Sequence, residues 1–228
     1  MGAKCRTLAK TETKKMKRIL PGVIAMAAIV VASNILVQFL ILDGLLTWGA
    51  FTYPLAFLVT DVMNRLYGAA TARKVVFAGL ITGIICSLIG TQIIFDSEYG
   101  PYAAVALRVA IGSAIAFGVA QLLDVAVFNK LRDGSWWKAP LGSTLVSSTV
   151  DTAIFFTIAF SALFNGLSQA AANEVVWAQD AAPFLTTGPD APLWVSLAVA
   201  DWGVKLAIAL FALVPFRIII NRMAPTSA

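Results

Sequence analysis

The chain has 228 residues, 59% of them hydrophobic and only 13% charged, with a net charge of +5 and a mean hydropathy of +0.84. A soluble domain is roughly half apolar and about a quarter charged, so this balance excludes an ordinary soluble enzyme, a disordered chain and a nucleic-acid-binding domain. With no His and only two Cys, Cys5 and Cys86, the chain has no His triad, His metal site, CxxC pair or disulfide framework.

The first 18 residues carry Lys4, Arg6, Lys10, Lys14, Lys15, Lys17 and Arg18 against one acid, Glu12. The apolar run that follows is too long for a signal peptide and has no clear small-residue cleavage site. We read it as a basic cytoplasmic tail, 1–18, ahead of a retained helix. Apolar segments follow at 19–42, 48–66, 74–95, 103–129, 141–165 and 193–220. Each supplies the roughly 20 residues needed to cross a hydrocarbon core about 30 Å thick. No sustained alternation of the barrel kind is present, so the spans are expected to be helices. The expected fold is all-α: a polytopic bundle of six transmembrane helices in one domain, 19–220, with a short tail, 221–228.

The loops give the orientation. The N-terminal tail, the second-to-third loop (Arg65, Arg73, Lys74), the fourth-to-fifth loop (Lys130, Arg132, Lys138) and the C-terminus (Arg217, Arg222) hold fifteen of the seventeen basic residues. The other loops hold Asp43, Asp96, Glu98, Glu174, Asp180 and Asp190 and no Lys or Arg. This positive-inside pattern predicts that both termini are cytoplasmic. The basic excess therefore serves topology and anionic lipid, and no nucleic-acid partner is expected. The stretch 166–192 is the longest outside the spans, and 167–179 is expected to form a short interfacial helix.

Six ionisable residues fall inside the spans: Asp61, Arg108, Asp124, Asp151, Asp201 and Lys205. A charge at mid-bilayer costs at least about 2.5–3.5 kcal/mol on insertion scales. Each is therefore a functional candidate, weighed against a salt bridge that merely fixes packing. Asp201 and Lys205 are spaced i,i+4 and share a face of the last span. They read either as a self-neutralised pair or as the floor of a ligand cavity. Counting about 1.5 Å per residue puts Asp151 at a similar depth to Asp201 on an antiparallel helix, so the carboxylates are expected to converge. Thr144, Ser148 and Asp151 form one polar stripe, read as a cavity lining. Asn34 and Gln38, also i,i+4, suit hydrogen bonding to a neutral heterocycle or act as interhelical glue.

Arg108 and Asp124 lie about 24 Å apart along their helix and cannot pair. Asp61 and Arg65 are i,i+4, a pair that lets Arg65 snorkel to the inner surface. Trp48, Phe51, Tyr53 and Phe57 cluster on the outer half of the second span. Trp48 and Tyr53 read as an interfacial belt or as a stacking platform for a flat ring. Trp136 and Trp137 read as an inner anchor, and Gly79-x-x-x-Gly83 as a close helix contact. No Walker A, HExxH or GxSxG motif is present, and no Asp lies in a GxGD context.

Several runs together resemble the queuosine precursor transporter family: Ser33-Asn34-Ile35-Leu36-Val37-Gln38, Thr47-Trp48-Gly49-Ala50-Phe51 with Pro54, Phe57 and Asp61, and Gly68 with Ala72-Arg73. Gln121-Leu122-Leu123-Asp124-Val125, Val127-Phe128-Asn129, Trp136-Trp137-Lys138-Ala139-Pro140, Ser143-Thr144-Leu145, Asp151-Thr152 and Asp201 with Lys205 add to it. The resemblance spans about residues 19–220. It implies six-helix inner-membrane proteins related to the S-components of energy-coupling-factor vitamin transporters. The implied role is import of 7-deazaguanines, notably 7-cyano-7-deazaguanine, for queuosine in tRNA.

A guanine-like edge offers N–H donors beside a carbonyl. On this reading Asn34, Gln38, Asp151 and Asp201 read the base, Trp48 and Phe51 stack on it, and Arg108 and Lys205 orient the site or balance its charge. Asp61, Arg65, Gln121 and Asp124 are candidates for gating or coupling. The expected partners are a 7-deazaguanine substrate and the bilayer, with a homo-oligomer or an energising subunit left open. No cofactor, metal or catalytic residue is expected. The alternatives are a binding module for another vitamin or nucleobase with an ATP-driven partner, an intramembrane Asp-dyad enzyme, and a structural scaffold.

Overall fold

The computed structural model describes residues 2–37, 39–42, 44–96 and 101–223, with side chains described from residue 19 onward, Leu40 excepted. Gln38 and the acids Asp43 and Glu98 lie outside the described residues, as do the side chains of the basic tail. The long helices are α1 (Gly2–Leu36), α4 (Ala69–Gly90), α5 (Leu107–Leu131), α6 (Lys138–Phe160) and α8 (Leu193–Met223). Shorter ones are α2 (Gly49–Thr52), α3 (Leu55–Tyr67) and α7 (Gln169–Asn173). Among the described residues, five helical stretches are long and apolar enough to cross a membrane: Ile19–Leu36, Ala69–Gly90, Leu107–Leu131, Lys138–Phe160 and Leu193–Met223.

The expected second span, 48–66, differs. It is divided into α2 and α3 around Tyr53 and Pro54. Proline has no N–H to continue the ladder, and its ring crowds the carbonyl four residues back. Helix α3 alone has 13 residues, about 20 Å of rise. The first span also ends earlier than expected, at Leu36. Strands were not expected, yet three short antiparallel hairpins fill connections: β1 (Leu40–Ile41) with β2 (Leu46–Thr47), β3 (Ile94–Phe95) with β4 (Tyr102–Ala103), and β5 (Ala181–Pro183) with β6 (Asp190–Pro192). Such two- and three-residue ladders close turns and span nothing. In the stretch 166–192 the helical part is α7 followed by a 3-10 turn at Val176–Gln179.

Helix α3 is central, packing against α1, α4, α5, α6 and α8. Helices α5 and α6 form an extensively packed antiparallel pair, and α6 in turn packs on α8. Half of the α6 span is buried, against 17% of the α8 span, so α6 is an inner helix and α8 a peripheral one. Met26, Val30, Met63, Val75, Val76 and Phe117 join α1, α3, α4 and α5 in one core. Leu20, Ile24, Ile81, Ile85, Leu210 and Phe211 face outward, as lipid-contacting side chains do. The glycine step packs as expected. A Cβ on Gly79 would stand 2.6 Å from Met26 Cγ, and one on Gly83 3.3 Å from Val30 Cγ1, so only Gly lets α1 approach α4 this closely.

Candidate functional site

Helices α6 and α8 bring one polar cluster together. Lys205 Nζ lies 2.7 Å from Asp151 Oδ2 and 2.6 Å from Asp201 Oδ2, and donates to Thr152 Oγ1 at 3.0 Å. Thr152 donates in turn to Asp201 Oδ2 at 3.2 Å. All three ammonium protons therefore have acceptors. Lys205 and Asp151 are buried, while the Asp201 side chain stays 16% exposed. The i,i+4 pair and the convergence with Asp151 are as expected. Two carboxylates against one ammonium leave the cluster one negative charge in excess, and Asp201 carries its accessible edge.

Tyr53, placed in an interfacial belt by its sequence context, instead turns inward at the α2–α3 break. Its hydroxyl donates to Asp151 Oδ1 at 3.0 Å, and Lys205 Nζ sits 5.4 Å from its ring centroid. The signal available in the sequence was its spacing: Tyr53 and Phe57 lie one turn apart. Phe57 and Phe117 pack edge-on against the Tyr53 ring and fix its tilt. Trp48 and Phe51 are in tilted contact at 5.9 Å and are 52% and 37% exposed.

The remaining candidates lie elsewhere. Asn34 Nδ2 donates to the Val30 carbonyl within α1, and its Oδ1 accepts an interhelical bond from Ser87 of α4. Arg108 donates to the carbonyls of Ile158 and Ser161 and to Asn165 Oδ1, with Phe164 beside its guanidinium. It thereby satisfies carbonyls at the C-terminal end of α6, groups that a helix leaves without partners. Asn165 and Gln179 exchange amide hydrogen bonds, tying this corner to the stretch between α6 and α8.

A second polar layer lies toward the opposite ends of α5 and α6. Thr60 donates to Gln121 Oε1 at 2.5 Å, and Asn64 Nδ2 donates to the Val125 carbonyl. The expected Asp61–Arg65 pair does not form. Arg65 reaches past the helix end to the Arg132 carbonyl, and Arg132 binds the Asn64 carbonyl and side chain. Asp61 instead faces the α6 hydroxyls of Ser143 and Thr144, and Asp124 faces Ser147. Among the described residues, no three His, Cys, Asp or Glu gather as a metal site.

Residues 47–220 match the family described as "Putative vitamin uptake transporter". The chain is 32% identical to the queuosine precursor transporter of Escherichia coli K12 over 86% of this chain and 83% of that protein. It is 34% identical to a probable queuosine precursor transporter of Haemophilus influenzae, over 77% of this chain and 68% of that one. A probable queuosine precursor transporter of Bacillus subtilis is 29% identical over 78% of this chain and 73% of its own length. No solved structure gives a significant match.

Proposed function

This chain belongs to the vitamin uptake transporter family, a multi-pass membrane family, and from that membership we propose that it imports queuosine precursors, with 7-cyano-7-deazaguanine as its substrate for queuosine salvage into tRNA. The observation that carries the reading is the buried Lys205–Asp151–Asp201 cluster with Tyr53 against it. A 7-deazaguanine presents adjacent N–H donors, and a carboxylate accepts two of them side by side. Asp201, the more accessible carboxylate, receives this edge first. Asp151, held by Tyr53 and Lys205, supplies the second acceptor. Lys205 then answers the ring carbonyl, and Trp48 and Phe51 offer the aromatic surface above. A site with this many buried polar groups rejects analogues that leave them unpaired.

In the bilayer we read α2 and α3 together as the sixth span. Residues 49–67 rise about 28 Å if counted as one helix, close to the core thickness. With the basic loops cytoplasmic, both termini face the cytoplasm of a bacterial inner membrane, and the bundle is of the S-component kind. The transport domain is 19–220, between tails 1–18 and 221–228.

The test is queuosine in the tRNA of cells that make no precursor, expressing this chain and fed low 7-cyano-7-deazaguanine. Restored queuosine is the expected result. No restoration, with the protein present in the membrane, overturns the substrate assignment.

A further inference from the structure

The interior acids form two unlike pairs. Asp151 and Asp201 share the Lys205 ammonium. Asp61 and Asp124 are 2% and 0% exposed, and among the described residues no cation forms an ion pair with either. The α6 hydroxyls of Ser143 and Ser147, one turn apart, hold Asp61 of α3 and Asp124 of α5 side by side against one face of α6.

The donors around this pair can be counted. Ser143 Oγ lies 3.2 Å from Asp61 Oδ1 and equally far from the Pro140 carbonyl. Ser147 Oγ lies 3.0 Å from Asp124 Oδ1 but 2.7 Å from the Ser143 carbonyl. Thr144 Oγ1 is 3.5 Å from Asp61 Oδ2. Each hydroxyl has one proton to give, and for Ser143 and Ser147 a backbone carbonyl competes for it. Asp124 Oδ2 has no donor among the described residues. Holding two full charges there, away from water and without a cation, costs several kcal/mol per ion. One proton on the pair halves the charge and supplies the missing donor, because a hydrogen bond between two carboxyl groups exists only when one of them is protonated.

Among the described residues no other charge competes for that proton. Helix α8 turns only apolar side chains toward Asp61, Ala209 and Phe216 among them. Helices α1 and α4 pack α3 with Met26, Val75 and Val76. Arg65 and Arg132 are engaged with backbone and Asn64, and Lys205 with the other acids. A metal ion is disfavoured because no third acidic, Cys or His ligand joins the two carboxyls among the described residues. A small cavity touches Asp61 and Thr144, with about 10 Å³ open to the centre of a water-sized sphere, room for about one water.

We propose that Asp61 and Asp124 form a single proton-binding site that couples import to the proton gradient. The import itself rests on the reading above; the shared proton does not. An arriving proton forms one O–H bond on a carboxylate oxygen, and that bond breaks when it leaves on the other side; nothing else is consumed. Thr144, beside Asp61, and Asp151 lie seven positions apart on α6, about 10 Å along its axis, so one rigid helix carries parts of both sites.

The test uses the purified full chain in lipid vesicles holding a pH-sensitive dye. An inside-alkaline gradient of one pH unit should concentrate 7-cyano-7-deazaguanine about tenfold if one proton accompanies each molecule, with matching acidification. Asp61→Asn and Asp124→Asn should lose both the accumulation and the dye response. In detergent, infrared spectra of the wild type at neutral pH should show the carbonyl stretch of one protonated carboxylic acid, removed by either substitution. Accumulation driven by sodium or indifferent to the pH gradient overturns the proposal. So does a wild type without that band, or a band retained in both variants. Wild-type vesicles that take up none of the base overturn the substrate reading instead, and the infrared band still decides the shared proton.

Discussion

Lys205 and Asp151 meet at 2.7 Å across the α6–α8 contact although 54 positions separate them in the chain. The ion pair is buried, so its partners depend on each other far more than an exposed pair would. Removing one partner of a buried pair strands the other charge, at a cost of about 3–5 kcal/mol. Lys205→Met should therefore unfold at clearly lower temperature in detergent. Lys205→Met combined with Asp151→Asn should recover part of the loss, because only the Asp201 charge is then left stranded. Equal melting of the wild type and Lys205→Met would contradict the pairing.

Neutralising the carboxylates tests recognition more directly. Asp151→Asn and Asp201→Asn each exchange one acceptor oxygen for a donor facing the N–H groups of the base. A buried donor left unpaired costs about 1–3 kcal/mol, roughly ten- to a hundredfold in affinity. Uptake should fall by that factor or more while membrane insertion, read by fractionation, is unchanged. Wild-type uptake in both variants would remove these residues from the site.

Tyr53 separates ring from hydroxyl. Tyr53→Phe keeps the face against Lys205 and loses only the bond to Asp151, a net contribution of about 0.5–1.5 kcal/mol. Its uptake KM should rise severalfold with the maximal rate nearly retained, whereas Tyr53→Ala should lose both. Identical kinetics in the two variants would show that the ring contributes nothing.

Arg108 distinguishes a binding role from a structural one. A lysine lacks the planar fork that reaches three acceptors at once. Arg108→Lys should speed proteolysis around residues 162–179 and leave the affinity for substrate unchanged in the folded fraction. A changed affinity without any change in proteolysis would restore Arg108 to the substrate site.

The glycine seam gives a packing prediction. At Gly79 even one methyl group meets Met26 at 2.6 Å, and overpacking of a tight interface costs typically about 1–3 kcal/mol. Gly79→Ala should lower the melting temperature, and Gly203→Ala, where a Cβ meets nothing within 4 Å, should not.

Most of the helical content and the partnership of Asp201 with Lys205 were legible in the sequence, because both depend on spacing along one helix. The depth of Asp151 was legible for the same reason. Facing was not. The long helices α4, α5, α6 and α8 are apolar nearly all round and carry little periodic signal of which side meets which neighbour, so the α6 hydroxyls that receive Asp61 could not be read from the sequence, and the i,i+4 spacing on α3 pointed to Arg65 instead. Tyr53 was hidden differently. Its direction follows from the break at Pro54, which re-aims a side chain whose surroundings otherwise read as a membrane-interface belt. The hairpins at 40–47, 94–103 and 181–192 carry too few residues for an alternating pattern to show.

Gly68 caps α3 and opens α4 by itself, at φ +85°. Its N–H bonds the Asn64 carbonyl, and its own carbonyl accepts from Thr71 and Ala72, so the backbone ladder passes through the elbow without slack. Asn64 is fastened on the other side to Val125 and Arg132. Mechanically, this corner is a pinned joint. The two arms are tied end to end there, so α3 and α4 cannot part at this corner without first breaking those bonds.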